Sequence, residues 1–115
     1  MQMNNKSRSL PPKTCSIDRL ITIPRDIDKV INGEKTATRR NDRYADIDEV
    51  MVLNDHKFTV TDVYMQKLGN VTEKDALKEG FQNVETYKQS ILSIHPGMKW
   101  DPEIKVCVHE FKLMK

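Results

Sequence analysis

The chemistry-bearing side chains of this chain are concentrated in one stretch, Gly33-Glu34-Lys35-Thr36-Ala37-Thr38-Arg39-Arg40. A lysine, two hydroxyls and two guanidiniums follow closely on a glycine. On an extended strand Thr36, Thr38 and Arg40 share one face. A face of two hydroxyls and a guanidinium suits an oxyanion or the edge of a base better than an apolar core. Lys35 has the opposite parity. It joins such a site only from a turn before the strand, where Gly33 would supply the bend. The plainer alternative is a solvent-facing edge strand whose threonines serve β-propensity.

Positioning that stretch falls to the elements around it. After Pro24 the spacing predicts a short helix with Asp26 as N-cap, an apolar stripe of Ile27, Val30 and Ile31, and Gly33 as its stop. Residues 41–48 read as a charged turn in which Tyr44 packs. Residues 49–53 carry apolar side chains on both parities, as a strand covered on both faces does. Asn54-Asp55 marks a turn. Beyond it Phe58, Val60, Asp62 and Tyr64 alternate with Thr59, Thr61 and Val63, which predicts a hairpin. Thr72 to Asp75 is a capping box with Asp in place of Glu, opening a helix that ends near Gly80. A second helix runs from Asn83 toward Ile94 with Val84, Tyr87, Ile91 and Ile94 turned to the core. His95 is expected at the helix end, and Trp100 as a packing residue. Ile104, Val106, Cys107, Val108 and Phe111 mark a long final strand in the centre of the sheet.

The order is helix, strand, hairpin, two helices, final strand. It predicts an α+β fold, a small, partly closed mixed β-barrel with short helices flanking its openings. Residues 1–16, polar and carrying Pro11-Pro12, read as a flexible N-terminal arm. Residues 17–115 form one domain.

Composition narrows the function classes. The chain has 115 residues, 37% hydrophobic and 31% charged, with a net charge of +2. That balance is too even to demand a nucleic-acid partner, although Arg39, Arg40 and Arg43 cluster, as do Lys6, Arg8 and Lys13. Cys15 and Cys107 lie far apart without a zinc-type spacing, and His56, His95 and His109 have no metal-ligand pattern. No metal and no organic cofactor are expected. No apolar run has the length of a membrane span or a secretory leader, so the expected location is the cytoplasm.

Read together, Gly33-x-Lys35-Thr36-x-Thr38-x-Arg40, Glu79-Gly80-Phe81, Ile94-His95-Pro96-Gly97 and Val106-x-Val108-x-Glu110-Phe111 resemble an ASCH domain, a small PUA-like β-barrel family. The pieces stand in the family's order and cover most of the chain from Ile23 onward. The resemblance implies a cleft beside the barrel directed at RNA or a modified nucleoside. Its most concrete form is a bacterial subgroup that hydrolyses N4-acetylcytidine to cytidine and acetate. That subgroup's lysine, threonine and glutamate fall on Lys35, Thr38 and Glu79, and the arginine closing the motif falls on Arg40. Three features depart from the subgroup: Asp48-Glu49 stands where it has glycine-aspartate, the basic N-terminal arm is extra, and an insertion lies around residues 99–102.

Amide hydrolysis needs a nucleophile, a base and an oxyanion stabiliser. Thr38 would attack, with Lys35 taking its proton and Glu79 orienting the lysine or activating water. Backbone N–H groups after Gly33, or Arg40, would face the oxyanion. Thr36, Arg39, Arg40 and Phe81 would line the substrate. The alternative is a non-catalytic RNA-binding module, or an ASCH-type ribonuclease. There Arg39, Arg40 and Arg43 would hold phosphates while Tyr44, Phe81 or Trp100 stack on bases.

Overall fold

The computed structural model describes residues 10–114. Four antiparallel strands form one curled, half-closed sheet in the order β1-β4-β3-β2. They are β1 (Ala37–Arg40), β2 (Val50–Leu53), β3 (His56–Lys67) and β4 (Lys105–Leu113). Three short helices, α1 (Pro24–Ile31), α2 (Glu73–Lys78) and α3 (Val84–Ile94), complete the α+β fold. Every strand pairing is antiparallel; an isolated parallel bridge joins Lys13 to Arg43.

β4 is the spine of the sheet, paired with β1 on one side and β3 on the other. Its alternating side chains supply both layers. Cys107, His109 and Phe111 face one way. There Phe111 packs with Phe58, Met51, Leu20 and Val30, and Cys107 packs with Val60, Val63 and Ala45. Val106 and Val108 face the other way. Val106 meets Ala76 of α2 and Tyr87 of α3, and Val108 meets Ala37 and Tyr64.

A bulge in β3 decides which residues reach which layer. Val60 pairs with Phe111 and Asp62 with Glu110, so Thr61 is an extra residue. One inserted residue reverses the alternation. Phe58 and Val60 therefore share a layer with Val63, and Tyr64 turns to the layer of α2 and α3. Uninterrupted alternation would have kept Tyr64 with Phe58.

Other expectations are corrected locally. α1 starts with Ile23 at the N-cap and Pro24 in its first turn; Asp26 lies inside that turn. Proline needs no N–H partner there, so it sets the boundary instead. β2 is an edge strand with only Met51 and Leu53 buried, while Val50 and Val52 are exposed. Ile94 is also exposed at the end of α3. Within the expected arm, residues 12–14 and 16 are exposed, while Leu10 packs beside Val60 and Cys107 and Lys13 pairs with Glu49 at 2.7 Å. The rest of the arm, residues 1–9, lies outside the described residues. Among the described residues no helix is long and apolar enough to cross a membrane.

Candidate functional site

Lys35 and Glu79 meet although 44 residues separate them: Lys35 Nζ lies 2.9 Å from Glu79 Oε1 and donates again to the Glu79 carbonyl at 3.0 Å. The local chain explains the meeting. Gly33, at φ +80°, follows α1 and turns the chain back, and the N–H groups of Glu34 and Lys35 both donate to the Lys29 carbonyl. The Lys35 side chain is thereby delivered just before β1. On the other side, α2 ends at Glu79 as its C-cap. The carbonyls of Lys78, Glu79 and Gly80 accept from Thr36 N–H, Lys35 Nζ and Lys29 Nζ respectively. Three carbonyls left open at the helix end thus find donors from the α1–β1 segment.

Arg39 completes the group. Its Nη1 donates to Glu79 Oε2 at 2.8 Å, and its Nε and Nη2 donate to Gln66 Oε1 at 3.2 and 2.7 Å. Asp75 lies 3.6 Å from Nη2. Gln66 passes the network on, donating from Nε2 to Asp75 Oδ2 and the Asn70 carbonyl. Lys35 and Glu79 are each only 4% exposed. Burial alone would lower the Arg39 guanidinium; Glu79 chiefly, then Tyr87 and Asp75, more than offset it and hold it above its ordinary value. Asp75 feels burial upward, but the Thr72 N–H, Arg39 and Gln66 keep it below its usual range. Two cations face two carboxylates, so the cluster is electrically balanced. Beside it Tyr64 donates to Glu110 at 2.5 Å, and Lys78 lies 3.7 Å from the other Glu110 oxygen.

The remaining residues singled out from the sequence fall elsewhere. Thr36, Thr38 and Arg40 do have common parity, but that side of β1 faces the α1 layer, away from Lys35 and Arg39. Thr38 is 2% exposed and pairs across the sheet with His109, on the face opposite Arg39. Arg40 donates to the Leu20 carbonyl at 2.6 Å and to the Arg39 carbonyl. Thr36 is exposed and is held through its backbone. Phe81 is half-buried, edge-on to Tyr87 at 5.6 Å, with Lys29 Nζ 4.9 Å above its ring. Arg43 is engaged by Asp46 and the Pro11 carbonyl. Trp100 packs beside α3 under Lys88, and Tyr44 sits edge-on to His109.

Sequence reasoning missed Gln66, Asp75, Tyr64 and Tyr87 as members of this neighbourhood. Asp75 had been assigned to the capping box, a role it keeps by accepting from Thr72 N–H while also facing Arg39. Gln66 and Tyr64 were hidden by the Thr61 bulge, which no turn residue announces. Glu110 was within reach of pattern reading, since it shares parity with Val106 and Val108. Among the described residues no group of three or more His, Cys, Asp or Glu side chains could hold a metal ion.

A sheet of this order, closed on one layer by α1 and on the other by α2 and α3, is the PUA-like fold of ASCH domains. The chain superposes on an ASCH domain from Lactobacillus crispatus with a TM-score of 0.65 at 14% identity, covering 76% of this chain and 69% of that one. It also superposes on protein EF3133 from Enterococcus faecalis, of family DUF984, with a TM-score of 0.60 at 16% identity, over 78% and 67% of the two chains. No protein-family model and no curated protein matches the sequence. The likeness is one of fold.

Proposed function

We propose that this protein is an ASCH-type module whose site, built on Lys35, Glu79 and Arg39, is directed at a modified nucleoside, and that it hydrolyses N4-acetylcytidine to cytidine and acetate. One observation carries the reading: a lysine and a glutamate from distant segments meet at 2.9 Å in a buried, charge-balanced cluster. An ammonium donor beside a carboxylate acceptor is the pair that water-driven amide cleavage needs. A balanced cluster suits a neutral ligand better than a phosphate.

The nucleophile in this scheme is water. This scheme leaves the Thr38 hydroxyl out of the reacting group, because Thr38 sits on the face of β1 opposite Arg39, which holds Glu79. Substrate entry displaces one of the bonds on the Glu79 carboxylate, which then accepts a proton from water as the water oxygen bonds to the acyl carbon. Lys35 donates to the developing oxyanion. The C–N bond breaks as Glu79 returns the proton to the exocyclic nitrogen, leaving cytidine and acetic acid, which ionises. Each turnover consumes one water and needs no oxidant or reductant.

Cytidine release from N4-acetylcytidine by the purified protein tests this. Turnover is expected in the wild type, a fall of at least about a hundred-fold in Lys35→Met, the scale of one lost general-acid or electrostatic contact, and retention in Thr38→Val. Circular dichroism checks that each variant is folded. Loss of turnover in a folded Thr38→Val would return the nucleophile to the threonine. A folded wild type that neither binds nor cleaves the nucleoside would sink the proposal. RNA binding whose affinity falls steeply with salt would then be the reading to pursue, although Arg39, Arg40 and Arg43 are all engaged within the chain.

A further inference from the structure

Tyr87 stands apart from the other polar groups of this layer. Its ring is anchored: it packs with Ala76, Val106 and Leu68 and meets Phe81 edge-on. The residue is 2% exposed, and its hydroxyl has no hydrogen-bond partner among the described residues. An unsatisfied buried hydroxyl costs stability, so its presence calls for an explanation. It also lies within electrostatic reach of Glu79, Arg39 and Asp75; burial first, then Glu79, raise it well above the ordinary phenol value. The proton is therefore retained, and the group acts as a donor. Both Glu79 oxygens are already engaged, one by Lys35 and one by Arg39.

We infer that the Tyr87 hydroxyl is a ligand-directed donor of the same site, held ready for the carbonyl oxygen of a neutral acylated base. The inference rests on the nucleoside-directed reading above and deepens it. The charge balance of Lys35, Arg39, Glu79 and Asp75 disfavours an anionic group there, whereas a carbonyl needs a donor and brings no charge. Lys35, Glu79 and Tyr87 are all buried, so a ligand reaches them only by displacing groups now packed over them. The hydroxyl then gains the acceptor that the closed protein does not offer it. Tyr87 adds a second donor to the oxyanion alongside Lys35.

Tyr87→Phe removes the oxygen and keeps the ring. Three quantities decide: kcat/KM for N4-acetylcytidine, affinity for cytidine, which lacks the acyl carbonyl, and the melting temperature. In the variant, kcat/KM is expected to fall about a hundred-fold, as for one lost transition-state donor. Cytidine affinity should be unchanged and the melting temperature equal or higher. A lower melting temperature with both nucleosides bound equally worse would make the hydroxyl structural and overturn the inference. Unchanged turnover in the variant beside an active wild type would overturn it while leaving the proposed function standing. An inactive wild type that does not bind N4-acetylcytidine would remove both.

Discussion

Glu79 is the residue on which the cluster turns. Each of its carboxylate oxygens carries one buried cation, Lys35 on Oε1 and Arg39 on Oε2. Removing it would strand two positive charges in a layer that excludes water. Breaking a buried ion pair from one side costs about 3–5 kcal/mol, because the surviving partner stays desolvated. Glu79→Ala is expected to lose stability on that scale in urea unfolding. Glu79→Gln keeps the acceptor carbonyl and should lose less. Equal stability of Glu79→Ala and wild type would mean that the cations find water instead, and that the layer is open in solution. Arg39 differs in kind. Gln66, Glu79 and Asp75 engage three of its nitrogens. Its role is to hold the carboxylate and the strand together, and lysine cannot copy that forked geometry.

The α1–β1 turn and the C-terminus of α2 form one working unit, closed at Gly80. That glycine has φ +91°, and a Cβ there would stand 3.1 Å from Lys29 Cδ and 3.6 Å from Lys35 Cβ. Gly80→Ala is expected to cost about 1–3 kcal/mol through the backbone alone, and to loosen Lys35 as well. Thermal unfolding with and without the substitution measures the first effect, and hydrogen exchange at Glu34 to Thr36 the second. Much of this unit was legible in the sequence. Gly33 as a helix stop, Lys35 in the turn before a strand, the Thr72 to Asp75 cap and a helix ending near Gly80 all follow from local rules. The faces were harder to read. Thr36, Thr38 and Arg40 do share a parity, but parity does not say which of the two layers holds the charged cluster. The long-range register decides that, with Thr38 opposite His109 and Arg39 opposite Val108. The Thr61 bulge was illegible for a related reason: it exists only relative to β4.

At the scale of the whole molecule, the two layers differ in how they respond to acid. His109 is fully buried in the layer of α1, and its Nε2 accepts from Tyr44 N–H at 3.1 Å. The neutral tautomer therefore carries its proton on Nδ1. Burial, with a smaller repulsion from Arg40, lowers its pKa to about 4. The unfolded imidazole titrates near its model value of 6.5. Between those values the unfolded chain binds the extra proton, so stability falls as pH drops from about 6.5 to about 4 and is unaffected by this group above that window. The full loss is on the order of 3 kcal/mol. Denaturant titrations at pH 7 and pH 4.5 should show the fall, and His109→Gln should flatten it. A His109→Gln profile as steep as the wild type's would assign the acid sensitivity to the carboxylates of the other layer.

The strand order carries a consequence for biosynthesis. Among the described strands β1 is paired only with β4, the last of the four to be made. While the ribosome is still adding residues 41–104, β1 emerges with both edges bare, because its neighbour is not yet translated. Lys35 can meet Glu79 early, because both lie upstream of β4. The nascent chain can therefore draw the α1–β1 turn against α2 before the sheet beneath them exists, so that β4, arriving last, threads into a slot already framed on both sides.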